Sequence, residues 1–130
     1  MRTIRIIQHK CNKNTATMHT CLHDTENTAD VVIIQEPWIG TNENDQSLYS
    51  ISHPSFIILI SSTTHRPRTL TYISNTNPYL KASLQRDICN EEDIQVVKIS
   101  TPTIEPIYLF NIYNKTPPHD RTLPYTVERI

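Results

Sequence analysis

Two stretches of this sequence, Val31-Val32-Ile33-Ile34 and Phe56-Ile57-Ile58-Leu59-Ile60, are apolar without a break. A strand with one wet face alternates apolar and polar residues, and a strand without alternation expects cover on both faces. The two runs therefore demand a layered fold, with a sheet enclosed on each side. Both are far below the roughly 18 apolar residues that a membrane-spanning helix needs, so no membrane partner is expected. The chain has 130 residues, of which 37% are hydrophobic. That length holds one domain, and the clustering of its apolar residues argues against a disordered chain.

Around these runs the chain reads as follows. Residues 3–8, β-branched and apolar, form a first strand. Asn14 or Thr15 caps a helix whose buried face is Met18, Cys21, Leu22, Thr25 and Ala29, at three- and four-residue steps. Its threonines give it weak propensity, so packing must hold it. A second strand over 31–35 ends at Pro37, which cannot donate to a sheet ladder. Residues 39–46 form a polar loop, and 47–52 fit a short strand. Further strands fall at 56–61, buried, and at 69–74, joined through His65-Arg66-Pro67-Arg68, and a turn follows at 75–78. Residues 93–100 and 106–113 pair as a hairpin around Thr101-Pro102-Thr103, and 120–130 open a helix with Leu123, Val127 and Ile130 on one face. One early helix followed by many strands gives an α+β, layered α/β architecture with a mainly antiparallel sheet.

Composition excludes several function classes. The net charge of -1 is not the footprint of a strongly basic nucleic-acid binder, so any such contact needs local cations or a metal ion. Three cysteines with no Cys-x-x-Cys pair argue against a disulfide framework and for a reducing compartment. The residues after Met1 turn polar almost at once, unlike a signal peptide; an intracellular location, cytoplasmic or nuclear and not secreted, is expected. With one glycine against nine prolines, Gly-rich phosphate loops are absent.

The sharpest chemical feature is Ile33-Ile34-Gln35-Glu36-Pro37-Trp38. It places a carboxylate at the end of a buried strand, fixed by the proline that follows. Mg²⁺ is commonly held by one or two carboxylates with phosphate oxygens and water. Other segments are plainer. His19 and His23 share a helix face, but position 20 is Thr where a zinc protease has glutamate, so a solvated face is expected. Trp38 is read as covering the sheet edge, with base stacking as the other option. Glu91-Glu92-Asp93 reads as a solvated turn. Arg66 and Arg68 are phosphate contacts if their loop faces a groove, and otherwise solvated.

Three segments taken together, Gln8-His9-Lys10 closing the first strand, Ile34-Gln35-Glu36-Pro37 at the second and Asn111-Ile112-Tyr113-Asn114 at the last, resemble the endonuclease/exonuclease/phosphatase superfamily. More narrowly, the chain resembles the N-terminal half of the apurinic-type endonuclease domain of non-LTR (LINE-like) retrotransposon polyproteins. Residues 66–73 and 121–130 look like elements of that group. The resemblance implies part of a four-layer α/β-sandwich in which each half of the domain supplies one sheet. It implies a Mg²⁺- or Mn²⁺-dependent enzyme that nicks DNA to prime a reverse transcriptase encoded downstream. Glu36 matches the metal ligand, and Tyr113 with Asn114 matches the positions beside the scissile phosphate. Gln8 fits the start of the family's first motif, and with Arg66 and Arg68, if their loop faces the groove, it is read as a phosphate or DNA contact.

Two departures matter. Lys10 stands at the degenerate position of an active-site asparagine; it offers only donors and a positive charge that opposes a cation. The Gly-Asp-Phe-Asn and Ser-Asp-His motifs, which activate water and complete the site, are not in these 130 residues. Residues 1–130 are therefore read as a truncated domain with weak metal binding and little or no activity. A lone first half would leave one sheet face wet, so association of the isolated chain is expected. The alternative is a non-catalytic β-rich binding or structural module in which Glu36 is incidental.

Overall fold

The computed structural model describes residues 3–61 and 65–114. In chain order the elements are β1 (Ile6–Lys10), α1 (Thr15–Thr25), β2 (Val31–Gln35), β3 (Gly40–Thr41), β4 (Leu48–Tyr49), β5 (Phe56–Leu59) and β6 (Thr69–Ser74). They continue with β7 (Lys81–Leu84), β8 (Asn90–Glu91), β9 (Ile94–Thr101) and β10 (Ile104–Ile112). The helix expected at 120–130 lies outside the described residues.

One sheet has the order β1-β2-β6-β5. β1 and β2 run parallel, joined by α1 as a crossover, and the other pairs are antiparallel. A second, antiparallel sheet has the order β10-β9-β7, with β8 also on β9. β3 and β4 form a small separate ribbon.

The central strand β2 is buried along its whole length, and its side chains divide between two cores. Val32 and Ile34 join Met18, Cys21 and Leu22 of α1, with Leu70 and Tyr72 of β6. Val31 and Ile33 meet Ile73 of β6, beside them in the same sheet, and Val97 and Ile99 of the second sheet. The order of layers is thus helix, mixed sheet, antiparallel sheet, and the lack of alternation in β2 has its cause in cover on both faces. Each fully buried aliphatic side chain here contributes about 1.5–3 kcal/mol.

Asn14 caps α1: its side chain accepts from the Thr17 N–H at 3.0 Å. Pro106 lies where the β9–β10 register shifts, between Ile104 and Ile107. A proline fits there because β10 is an edge strand and the irregularity removes the ladder bond it could not make.

Several expectations are corrected. The first strand starts and ends later than 3–8. The helix ends at Thr25, whose hydroxyl turns back onto the Cys21 carbonyl at 2.8 Å, so Ala29 joins the core from the exit turn and not from the helix face. The run at 56–61 is not enclosed on both faces: β5 is an edge strand and Ile57 is 54% exposed. The chain does not supply only one sheet. The hairpin of β9 and β10 folds back over the mixed sheet and covers the face that a lone sheet would leave wet. Tyr108 and Phe110 on β10 stay exposed. Asp93 is no solvated turn residue; it is fully buried.

Candidate functional site

The ends of β1, β2 and β10 meet at one edge of the layers. Glu36 follows β2 directly, with a φ of 51°. Residues before proline ordinarily sit in the extended region, and a left-handed non-glycine backbone is uncommon and costs energy. Three contacts hold Glu36 in place. Its N–H donates to the Arg68 carbonyl at 2.9 Å, and its own carbonyl accepts from the Lys13 N–H at 2.7 Å. The Tyr113 hydroxyl donates to Oε1 at 2.6 Å. Lys13 is itself left-handed, with a φ of 58°. Backbone strain of this kind concentrates at functional sites, and here it marks the same loops that the strand-end carboxylate does.

Lys10 Nζ stands 4.0 Å from Glu36 Oε1, on a side chain that is 60% exposed. Tyr113 is placed twice over: its N–H donates to the Asp93 carbonyl at 2.9 Å, and the Arg68 guanidinium lies over its ring, 5.9 Å from the centroid. The bond to Glu36 is the main cause that raises the Tyr113 phenol above its ordinary range, followed by burial, while Arg68 opposes the shift. Arg68 Nε in turn donates to the buried carboxylate of Asp93.

Behind this surface lies a row of buried amides between the sheets. Gln35 Nε2 donates to Asn111 Oδ1 at 2.6 Å, and Asn111 Nδ2 donates to the Leu70 carbonyl at 2.9 Å. Gln8 Nε2 reaches Gln35 Oε1 at 3.1 Å. Thr71 Oγ1 donates to Gln95 Oε1 at 2.5 Å, and Gln95 Nε2 to the Leu59 carbonyl at 2.8 Å. A satisfied buried polar network fixes register more sharply than apolar packing does. Gln35 adjoins Glu36, and Asn111 is two residues from Tyr113, so this clasp aligns the two tips across the sheets.

Of the residues singled out in the sequence, Lys10, Glu36 and Tyr113 come together at one tip. Asn114 follows as an exposed residue. Gln8 is engaged by Gln35, and Arg68 by Asp93 and Tyr113. Arg66 is exposed on the neighbouring loop. The clasp residues Gln35 and Asn111, and the partnership of Asp93 with Arg68, were not read from the sequence. Amides in otherwise apolar strands are the signal that could have found the clasp.

The donor set can be weighed against a divalent cation. Among the described residues no group of three or more His, Cys, Asp or Glu is placed to hold a metal ion. Glu36 offers a single carboxylate, whose Oε2 takes no hydrogen bond from the described residues. That fits one ligand of a Mg²⁺ ion otherwise completed by phosphate and water, and it does not fit a closed protein cage.

A mixed sheet with helix cover on one face and a second sheet on the other, with polar strand tips gathered at one edge, is a layered α+β fold. Among solved structures the chain is similar to the endonuclease domain of TRAS1, a telomere-specific non-LTR retrotransposon, with a TM-score of 0.62. The identity is 16%, and the match covers 87% of this chain and 45% of that one. The chain thus has the fold of that domain and spans about half its length. No protein-family model matches the sequence, and no curated protein matches it.

Proposed function

We propose that this chain carries half of a divalent-metal-dependent phosphodiesterase site of the DNA-endonuclease kind, and that it does not cleave DNA by itself. The observation that carries the reading is the Tyr113–Glu36 contact of 2.6 Å, which joins the tips of both sheets at a strained carboxylate. Glu36 would give one oxygen to Mg²⁺ or Mn²⁺. The bound ion would supply Lewis-acid stabilisation of a phosphodiester. Tyr113 holds and orients the carboxylate through its hydroxyl, and Asn114 lies beside it as a contact for the substrate. Lys10 at 4.0 Å opposes a cation and favours an anionic ligand. A second carboxylate and a general base would have to come from other residues, as the Gly-Asp-Phe-Asn and Ser-Asp-His motifs would provide. As part of a retroelement polyprotein the domain would act with a reverse transcriptase.

The test is paramagnetic. Mn²⁺ added to the isotope-labelled chain should broaden the amides around positions 10–11, 35–38 and 112–114, and Glu36→Ala should abolish this. Lys10→Asn should strengthen it. Supercoiled plasmid with Mg²⁺ should show no nicking above the Glu36→Ala control, and little rescue by Lys10→Asn. Broadening centred elsewhere would overturn the metal role, and Glu36-dependent nicking would overturn the half-site.

The lone carboxylate and the neighbouring Lys10 also favour a second reading, a non-catalytic module that binds anions at the same edge. Anion binding at this edge without Mn²⁺ broadening would select it.

A further inference from the structure

Beside Glu36 lies a cleft of about 430 Å³ whose lining includes Lys13, Pro37, Trp38, Arg66, Pro67 and Arg68. We infer that this cleft is a nucleotide subsite, in which one unstacked base of a single-stranded nucleic acid lies against Trp38 while its flanking phosphates meet Lys13 and Arg66. The inference rests on the reading of Glu36 as a phosphodiester site, because that is what brings a strand to this edge.

The charge is the first argument. Among the described residues no carboxylate lines the cleft. Arg68 is committed to Asp93, but among the described residues neither Lys13 nor Arg66 forms an ion pair with a carboxylate. Among its described residues, a chain of net charge -1 thus keeps at one opening two cations with no carboxylate partner. The Lys13 backbone is pinned there by its bond to the Glu36 carbonyl.

The aromatic wall is the second. Trp38 is the sole tryptophan, and its backbone is held on both sides: its N–H donates to Met18 Sδ at 3.2 Å and its carbonyl accepts from Ser50 Oγ at 2.6 Å. Its ring meets Tyr49 edge to face, with centroids 5.6 Å apart. The only glycine of the chain, Gly40, is what admits this pair. A Cβ there would stand 2.5 Å from Tyr49 Cζ and 2.8 Å from Trp38 Cη2.

The combination of a fixed aromatic plane, two separated cations, proline walls and no acid is the recognition chemistry of single strands, where bases stack and phosphates are neutralised. The volume falls in the range of about 300–1,000 Å³ usual for small-ligand sites. A duplex keeps its bases stacked inside and could present one to Trp38 only at the cost of unpairing and unstacking it.

The experiment uses the intrinsic fluorescence of Trp38 in EDTA, so that no metal is needed. Ten-nucleotide oligothymidylate and oligouridylate are titrated into the full chain, beside a ten-base-pair duplex and inorganic pyrophosphate. Saturable quenching by a single strand, at least fivefold tighter than by the duplex or pyrophosphate, is expected, and the two oligonucleotides report which sugar is preferred. Lys13→Ala/Arg66→Ala, two exposed positions that should leave the fold intact, should weaken binding and flatten its salt dependence. Trp38→Ala, read by anisotropy of a labelled strand, should weaken it about 5- to 150-fold, the range of one base–aromatic stack. Equal binding of duplex, equal binding of pyrophosphate, or strand binding that leaves Trp38 fluorescence unchanged would overturn the subsite. Because metal is absent, this result separates from the Mn²⁺ experiment: either can fail while the other succeeds.

Discussion

The buried pair Gln35–Asn111 offers the most direct test of how the two tips are held together. Asn111 is fully buried and Gln35 is 6% exposed, so neither amide can exchange its partner for bulk water. Asn111→Leu keeps the approximate volume but strands Gln35 Nε2 and removes the donor to the Leu70 carbonyl. A buried polar group left without a partner costs about 1–3 kcal/mol, which puts the substitution near 3 kcal/mol. Gln35→Leu strands only Asn111 Oδ1, since the exposed Gln8 can turn to water, and should cost about 1–2 kcal/mol. The double variant no longer contains the mutual orphan, so it should be less destabilised than the sum, by about 1–2 kcal/mol of coupling. Urea unfolding followed by Trp38 fluorescence, at low protein concentration to suppress association, gives all four free energies. Additivity within about 0.5 kcal/mol would refute the clasp, and with it the account of why Glu36 and Tyr113 stay in register.

Arg68→Ala should act on stability first, by about 3–5 kcal/mol, because it removes the cationic partner of the buried Asp93 carboxylate; a variant as stable as the parent would refute that structural role. Tyr113→Phe should remove an alkaline component of stability. The fold raises the phenol above its ordinary value of 10.0, so its contribution is complete below that value and is lost as pH climbs through the raised one. Tyr72, pushed to about 12 by burial, loses its contribution over the same range in both proteins. The parent-minus-variant difference in urea midpoint between about pH 8 and 11 therefore isolates Tyr113, and a flat difference would contradict the bond to Glu36. Gly40→Ala should displace the partly exposed Tyr49 ring at a cost of about 1–3 kcal/mol and shift the Trp38 emission; unchanged emission and stability would mean that the aromatic pair is not as close as described.

The sequence was most legible where composition and punctuation agreed. β2 and β6 fall on the expected residues because dense β-branched runs end at Pro37 and at the turn after Ser74. The start of α1 was carried by Asn14, and the last hairpin by Thr101-Pro102-Thr103. β7 escaped notice because Lys-Ala-Ser-Leu, although it alternates, is short and has no β-branched or aromatic residue, and only its partner β9 makes it a strand. The exposure of Ile57 could not be read either, since periodicity reports which faces are apolar and not which strand ends at an edge. At the site, Glu36 was visible from a strand end and a proline, and Lys10 and Tyr113 from resemblance. The burial of Asp93 was not, because three consecutive acids look solvated until Arg68 is brought to one of them from 25 residues away. The left-handed turns at Lys13 and Glu36 have no glycine or paired signal to announce them.

The irregularity at Pro106 lies early in β10, and everything after it is carried in strict two-residue rhythm to Asn111 and Tyr113. One residue gained between that irregularity and Asn111 would turn the asparagine outward and swing Phe110 into its place, and one residue lost would bring Ile112 there. The hairpin could survive such an indel as a hairpin, yet its far end would be out of phase with Glu36. The irregularity is therefore a vernier: a single-codon length change here would pull Tyr113 out of phase with Glu36 while sparing most of the architecture, whereas the loop over residues 42–47 could lengthen without moving either tip.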